Sequence, residues 1–132
     1  MRNPITKIFD TCNDSRLLLK SIRRTLHISQ RKMAKRLLTS QCYICWFETG
    51  NEDKLSEAEF QRILFNLKID FEETLIGIAD HVGRDQSILT VMQVLAEYLR
   101  CSVGRNYADR LEVLALLNRF TDEFRIMTTA KG

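Results

Sequence analysis

The chain has 132 residues, 45% of them hydrophobic, with one Pro and five Gly, enough apolar material for one domain or a small domain with a helical extension. So few helix breakers favour helices over a turn-rich β fold. No apolar run is long enough to span a bilayer, and the opening MRNPITKIFD lacks a signal peptide's apolar stretch, so a cytoplasmic protein with no membrane association is expected. The net charge of +3 conceals an asymmetry: residues 1–50 hold ten Lys/Arg against three acids, a net +7, and the remainder comes to −4. That division fits a nucleic-acid-facing half joined to a half with another task; the plainer alternative is a solvated helical surface.

In chain order, Asn3-Pro4 reads as a cap followed by Pro at the first helical position. Ile5, Ile8, Phe9 and Cys12 then recur at helical spacing, a short amphipathic helix for the core or a dimer contact, and 13–15 break it. The next helix, starting at 15 or 16 and ending near 26, turns Leu18, Leu19, Ile22 and Leu26 inward and Lys20, Arg23 and Arg24 outward. Ile28 plugs the join to a pair of shorter helices.

Ser29 can cap the first of these, over about 30–37, and Ser40 the second, over about 41–48, each hydroxyl accepting from free backbone N–H groups. The two or three residues around Leu38 and Thr39 force a steep crossing. Met33, Ala34 and Leu37 line one face of the first helix, Ile44 and Phe47 one face of the second, and Ala34 is small enough for close approach. Gly50 stands where a left-handed cap would end the second helix.

With Ser29-Gln30, Ala34, Ser40-Gln41, Ile44 and Phe47-Glu48-x-Gly50 in register, the segment resembles the lambda-repressor/Cro-like (Xre) helix-turn-helix family, and more loosely so over 15–67. The resemblance implies that the second helix enters the major groove and touches base edges with its first residues. It also implies that Gln30 fixes the first helix on the DNA backbone, that Gln41 and Cys42 face bases, and that Trp46 holds a third such position. That family usually carries Gly in the turn where this chain has Leu38; a positive φ there would strain the chain by about 1 kcal/mol. Cys42, Cys45 and Trp46 make the outer face of the second helix unusually apolar for base reading.

After Gly50 a polar NEDK loop leads to Ser56-Glu57-Ala58-Glu59, a capping box opening a helix over 57–67 with Phe60, Ile63, Leu64 and Leu67 inward. Asp70 with Glu73 repeats the box, so a separate helix is expected up to Val82, carrying Phe71, Leu75, Ile78 and Ala79 and ended by Gly83. Asp85 can cap a helix over 86–100 that is apolar on several faces, from Ile88 to Leu99. A loop around Gly104 precedes a last helix over 107–127 with Leu111, Val113, Leu114, Leu116, Leu117, Phe120, Phe124 and Met127. Two helices so apolar around their girth suggest burial in a subunit interface, a two-fold dimer being the commonest form; the alternative is one compact intrachain core.

Cys42 and Cys45 form a C-x-x-C without a second pair, Cys12 and Cys101 are scattered, and His27 and His81 lack ligand spacing, so no metal or cofactor is expected and the thiols read as structural or incidental. No Gly-rich phosphate loop, Ser/His/Asp arrangement or paired-carboxylate site is present, and an enzyme is not expected. Tyr43 and Trp46 stay open between contact with DNA, anchoring of a protein partner, and, for Trp46, folding back on the N-terminal helix.

The expectation is therefore an all-α protein: an N-terminal amphipathic helix over 1–14, a five-helix repressor-like helix-turn-helix domain over 15–82 and a helical oligomerisation region over 83–132. Its expected function is sequence-specific binding of double-stranded DNA as a transcriptional regulator, a homodimer paired through the C-terminal helices acting on an inverted repeat. Gln30, Arg31, Lys35, Ser40, Gln41, Cys42, Tyr43 and Trp46 would contact DNA, Arg31, Lys35 and Ser40 through phosphate and Arg16 and Lys20 in support. The alternative is a helix-turn-helix fold reused to bind a partner regulator or toxin through Tyr43 and Trp46.

Overall fold

A computed structural model describes the backbone of residues 4–51, 53–104 and 106–131, and within these the side chains of 5–126. The expected cap at Asn3, the charge at Arg2, the loop positions Glu52 and Arg105 and the inward Met127 side chain lie outside the described residues. The described residues form seven helices and no strand: α1 (Pro4–Thr11), α2 (Ser15–Thr25), α3 (Gln30–Arg36), α4 (Gln41–Thr49), α5 (Glu57–His81), α6 (Arg84–Cys101) and α7 (Tyr107–Lys131). None of them is long and apolar enough to cross a membrane.

Local chemistry accounts for most boundaries. Ser29 Oγ accepts from Lys32 N–H at 3.1 Å, Ser40 Oγ from Tyr43 N–H at 3.2 Å and Ser56 Oγ from Glu59 N–H at 3.2 Å, opening α3, α4 and α5. At the head of α2, Asp14 Oδ1 accepts from Leu17 N–H at 3.1 Å. Gly50 ends α4 in the left-handed region at φ 73°, its N–H bonded to Trp46 O.

Two expected boundaries are corrected. The break near Asp70 does not occur, because no Gly or Pro stands near that position and Ile63, Leu67, Phe71 and Leu75 continue one buried line at i, i+4 spacing. Asp70 caps nothing; its carboxylate accepts from Arg36 Nε of α3 at 3.1 Å. Nor does Asp85 cap α6, which begins two residues earlier than expected, at Arg84, with Gly83 at the cap position. The left-handed φ of 115° at Gly83 turns the chain directly out of α5, and Asp85 falls in the first turn, where a carboxylate complements the helix dipole.

One apolar core extends from Ile5 to Phe120. At its centre α6 packs on α2, α5 and α7, which explains why Ile88, Val91, Val94, Leu95 and Tyr98 ring its girth: three neighbours within the chain cover them. On α7, Val113, Leu116 and Phe120 face inward, whereas Leu111 and Leu114 remain 49% and 44% exposed.

The joint between α1 and α2 is tied to this centre. Tyr98 donates its hydroxyl proton to Asp109 Oδ2 at 2.5 Å, Asp14 N–H donates to Tyr98 Oη at 3.1 Å, and Asn13 N–H donates to Asp109 Oδ1 at 3.2 Å. Burial and the bond to Asp109 push the Tyr98 phenol above its ordinary pKa, and burial with the nearby Asp109 charge does the same to the Cys12 thiol.

Candidate nucleic-acid interface

Helices α3 and α4 pack against each other across a turn formed by 37–40, with Met33, Ala34 and Leu37 meeting Ile44 and Phe47 in the buried seam. Inside the turn Leu38 adopts φ 57°, the left-handed conformation that costs a β-carbon-bearing residue about 1 kcal/mol. Helix α5 secures this conformation: Asn66 Nδ2 donates to Leu37 O at 3.0 Å and Arg62 Nη1 to Leu38 O at 3.1 Å. Without them, those two carbonyls at the end of α3 would rely on water.

Beneath the pair, Arg23 of α2 meets Glu48 of α4 in a two-pronged contact, Nε to Oε2 at 2.8 Å and Nη2 to Oε1 at 3.0 Å, while its Nη1 donates to Ile28 O at 3.2 Å. Gln30 Nε2 adds a bond to Glu48 Oε1 at 3.3 Å. Such a fork is shorter and stronger than a neutral hydrogen bond, and it fixes the roll of α4 against α2 and α3.

Glu48 is the only acid between Ser15 and Asn51, a span with eight Lys/Arg. Its side chain is 5% exposed. The outer surface of α3 and α4 thus presents no carboxylate of its own. Arg31 and Lys35, one turn apart on α3, are exposed, and neither has an ion-pair partner among the described residues. Arg36, by contrast, is engaged by Asp70 and Thr74.

Ser40, Gln41 and Cys42 are exposed at the N-terminus of α4, and Cys45 is half-buried. Ser40, Gln41 and Cys42, with Arg31 and Lys35 of α3, belong to the exposed side of the helix pair. Gln30 stands apart from it: half-buried, with its amide nitrogen on Glu48, it acts inside the pair. Tyr43 and Trp46 are half-buried on the flank of α4, their rings 5.4 Å apart and tilted by 49°, with Lys54 Nζ 6.0 Å above the Trp46 ring. Trp46 thus packs along the 50–55 loop, while α1 lies on α5 and α7. A cleft of about 250 Å³ opens beside it, lined by Arg16, Gly50, Asn51, Leu55 and Phe60 among others. The Arg16 guanidinium covers the Phe60 ring at 5.3 Å, and Phe60 stacks on Phe47 at 4.6 Å.

All four cysteines are free thiols, and among the described residues no group of three His, Cys, Asp or Glu side chains could hold a metal ion. Among the residues that hold the surface in shape, Arg23 was expected to face outward and instead turns in to Glu48, which was noted only as part of the Phe47-Glu48-x-Gly50 match, while Arg62 and Asn66 were not singled out from sequence. A lone acid among eight cations was the available signal for Glu48; nothing local marks Arg62 or Asn66, whose partners lie 24 and 29 residues away. Comparison of the chain with protein-family models, curated proteins and solved structures finds no match.

Proposed function

We propose that the chain is a repressor-like helix-turn-helix protein that binds double-stranded DNA sequence-specifically and regulates transcription. The observation that carries this reading is the exposure of Gln41 and Cys42 at the N-terminus of α4, together with that of Arg31 and Lys35 on α3, in a helix pair whose one carboxylate is withdrawn into the Arg23 pair. In the major groove the Gln41 amide can both donate to and accept from adenine, worth about 1–3 kcal/mol of discrimination. Arg31 and Lys35 supply sequence-independent attraction to phosphate, helped by the Ser40 hydroxyl and backbone N–H groups at the start of α4. Arg16 and Lys20 of α2 serve as weaker, supporting phosphate contacts. Two copies on an inverted repeat place their α4 helices about 34 Å apart, and the C-terminal helices offer one face for pairing where Leu111 and Leu114 of α7 stand exposed.

The test is a salt titration of duplex binding. Gln41→Ala should reduce discrimination between sequences and leave non-specific affinity intact. Arg31→Ala with Lys35→Ala should weaken binding to all sequences and flatten the salt slope by about 2, one for each phosphate no longer neutralised. The half-exposed Tyr43–Trp46 pair favours a second reading, in which this surface docks a partner regulator or toxin. Absence of duplex binding at low salt, with a protein partner captured through Trp46, would select it.

A further inference from the structure

The thiols stand in unlike surroundings. Cys12 is buried, and Cys101 is engaged at the end of α6, where its Sγ lies 3.5 Å from Glu97 Oε1 and accepts from Arg24 Nη1 at 3.7 Å. Cys42 is exposed and Cys45 half-buried on α4, and neither Sγ has a hydrogen-bond partner among the described residues. They are the second and fifth residues of α4, so at 100° per residue their side chains leave the helix about 60° apart. Residues three apart on a helix are surface neighbours, with Cβ atoms about 5–6 Å from each other.

That separation decides what the pair can hold. A disulfide needs Cβ atoms about 3.5–4.5 Å apart, so oxidation would have to distort the turn that Ser40 caps. A linear sulfur–metal–sulfur unit, two bonds of about 2.3 Å each, sets the sulfurs about 4.5 Å apart and is reached from these Cβ positions with the helix intact. The lack of a second Cys pair rules out a four-ligand site, but a two-coordinate ion needs none. Among the described residues no third His, Cys, Asp or Glu joins the two thiols, which leaves Zn(II) short of ligands and favours a soft ion content with two thiolates. The charge also fits. The first turn of α4 contains no acid, and with the Tyr43 N–H taken by Ser40, those of Gln41 and Cys42 have no partner among the described residues, so an anionic complex sits at the positive end of the helix.

We propose that Cys42 and Cys45 bind one Cu(I) ion as a two-coordinate bis-thiolate at the start of α4. Binding releases one proton from each thiol to solvent and changes no oxidation state, so the complex carries a net charge of −1. The site stands on α4 alone and its test contains no DNA, so this proposal and the DNA reading can fail separately.

The experiment is an anaerobic titration of the full chain with Cu(I), supplied as its acetonitrile complex, in competition with a chromogenic Cu(I) chelator. One ion per chain should bind, with an ultraviolet thiolate-to-metal charge-transfer band. Trp46, the chain's single Trp, lies one turn beyond Cys42 on the same side of α4, and its fluorescence should be quenched at the same equivalence point. Cys42→Ser and Cys45→Ser should each weaken binding by at least about 100-fold, more than the loss of a supporting outer partner causes, with the helical circular dichroism unchanged. Cys101→Ser should leave the titration as it was, and excess Zn(II) should not displace the ion. No binding against the chelator, saturation at one ion for two chains, tight binding that survives Cys45→Ser or is lost with Cys101→Ser, or displacement by Zn(II) would each overturn the assignment.

Discussion

Arg23 and Glu48, 25 positions apart in sequence, are joined by two hydrogen bonds of 2.8 and 3.0 Å at the base of the α3–α4 pair, with 17% and 5% of their side chains exposed. The contact removes the segment's only carboxylate from its outer surface and fixes the roll of α4, so one bond serves both electrostatics and geometry. Replacing Glu48 with Ala leaves the Arg23 guanidinium poorly hydrated and uncompensated. The expected cost is about 3 kcal/mol, at the lower end of the range for breaking a buried pair because Arg23 can still reach some water. Urea denaturation of the variant measures it; a loss under about 0.5 kcal/mol would show the pair to be incidental.

Leu38 offers the opposite sign. Its φ of 57° is strained for any residue with a β-carbon, and its side chain is 75% exposed, so it contributes little burial in return. Leu38→Gly should therefore stabilise the protein by up to about 1 kcal/mol, the relief of strain being partly offset by the greater backbone freedom of Gly in the unfolded chain. A lowered denaturation midpoint would mean that Leu38 packs on something that offsets its backbone strain.

How much of this was legible in the sequence depended on range. The Ser29, Ser40 and Ser56 caps, the Gly50 terminus and the inward faces of α2 to α4 follow from chemistry within four residues, and the sequence carries that directly. The continuity of α5 was hidden because Asp70 and Glu73 imitate a capping box, and only the Arg36 side chain on another helix shows that Asp70 is occupied elsewhere. The position of α6 was legible as excess hydrophobicity but ambiguous in meaning. An all-round apolar helix signals many neighbours without saying whether they belong to the same chain, and here α2, α5 and α7 provide them. Gln30 and Gln41 were both expected at the surface. Gln30 is instead half inside, because its acceptor, Glu48, lies across the helix pair.

The buried cluster of Cys12, Tyr98 and Asp109 makes stability sensitive to alkali. Both the thiol and the phenol are held above their ordinary values, 9.0 and 10.0, by burial in the folded protein. Above pH 9 the unfolded chain releases the Cys12 proton while the folded chain retains it, and above pH 10 the Tyr98 proton follows. The unfolded state then binds fewer protons than the folded one, so unfolding becomes easier as pH rises. Denaturation at pH 7 and pH 8 should give the same contribution from these groups, with a progressive decline above 9. Tyr98→Phe should remove the phenol's share of that decline, and at neutral pH should cost about 1–3 kcal/mol, since Asp109 and Asp14 N–H lose their shared partner.

Cysteine accessibility gives a direct view of the proposed DNA face. Cys42 is exposed near the start of α4, Cys101 is half-buried at the end of α6, and Cys12 is buried with its thiol held protonated. Since the thiolate is the reactive form, a thiol reagent at pH 8 should label Cys42 first and Cys12 only on unfolding. If α4 enters a groove, specific duplex should slow labelling of Cys42 by at least about tenfold and leave Cys101 unchanged, and high salt should remove the protection as phosphate contacts weaken. Protection of Cys101 equal to that of Cys42 would indicate general compaction of the protein, and labelling of Cys42 at an unchanged rate in a saturated complex would place the DNA elsewhere on the molecule.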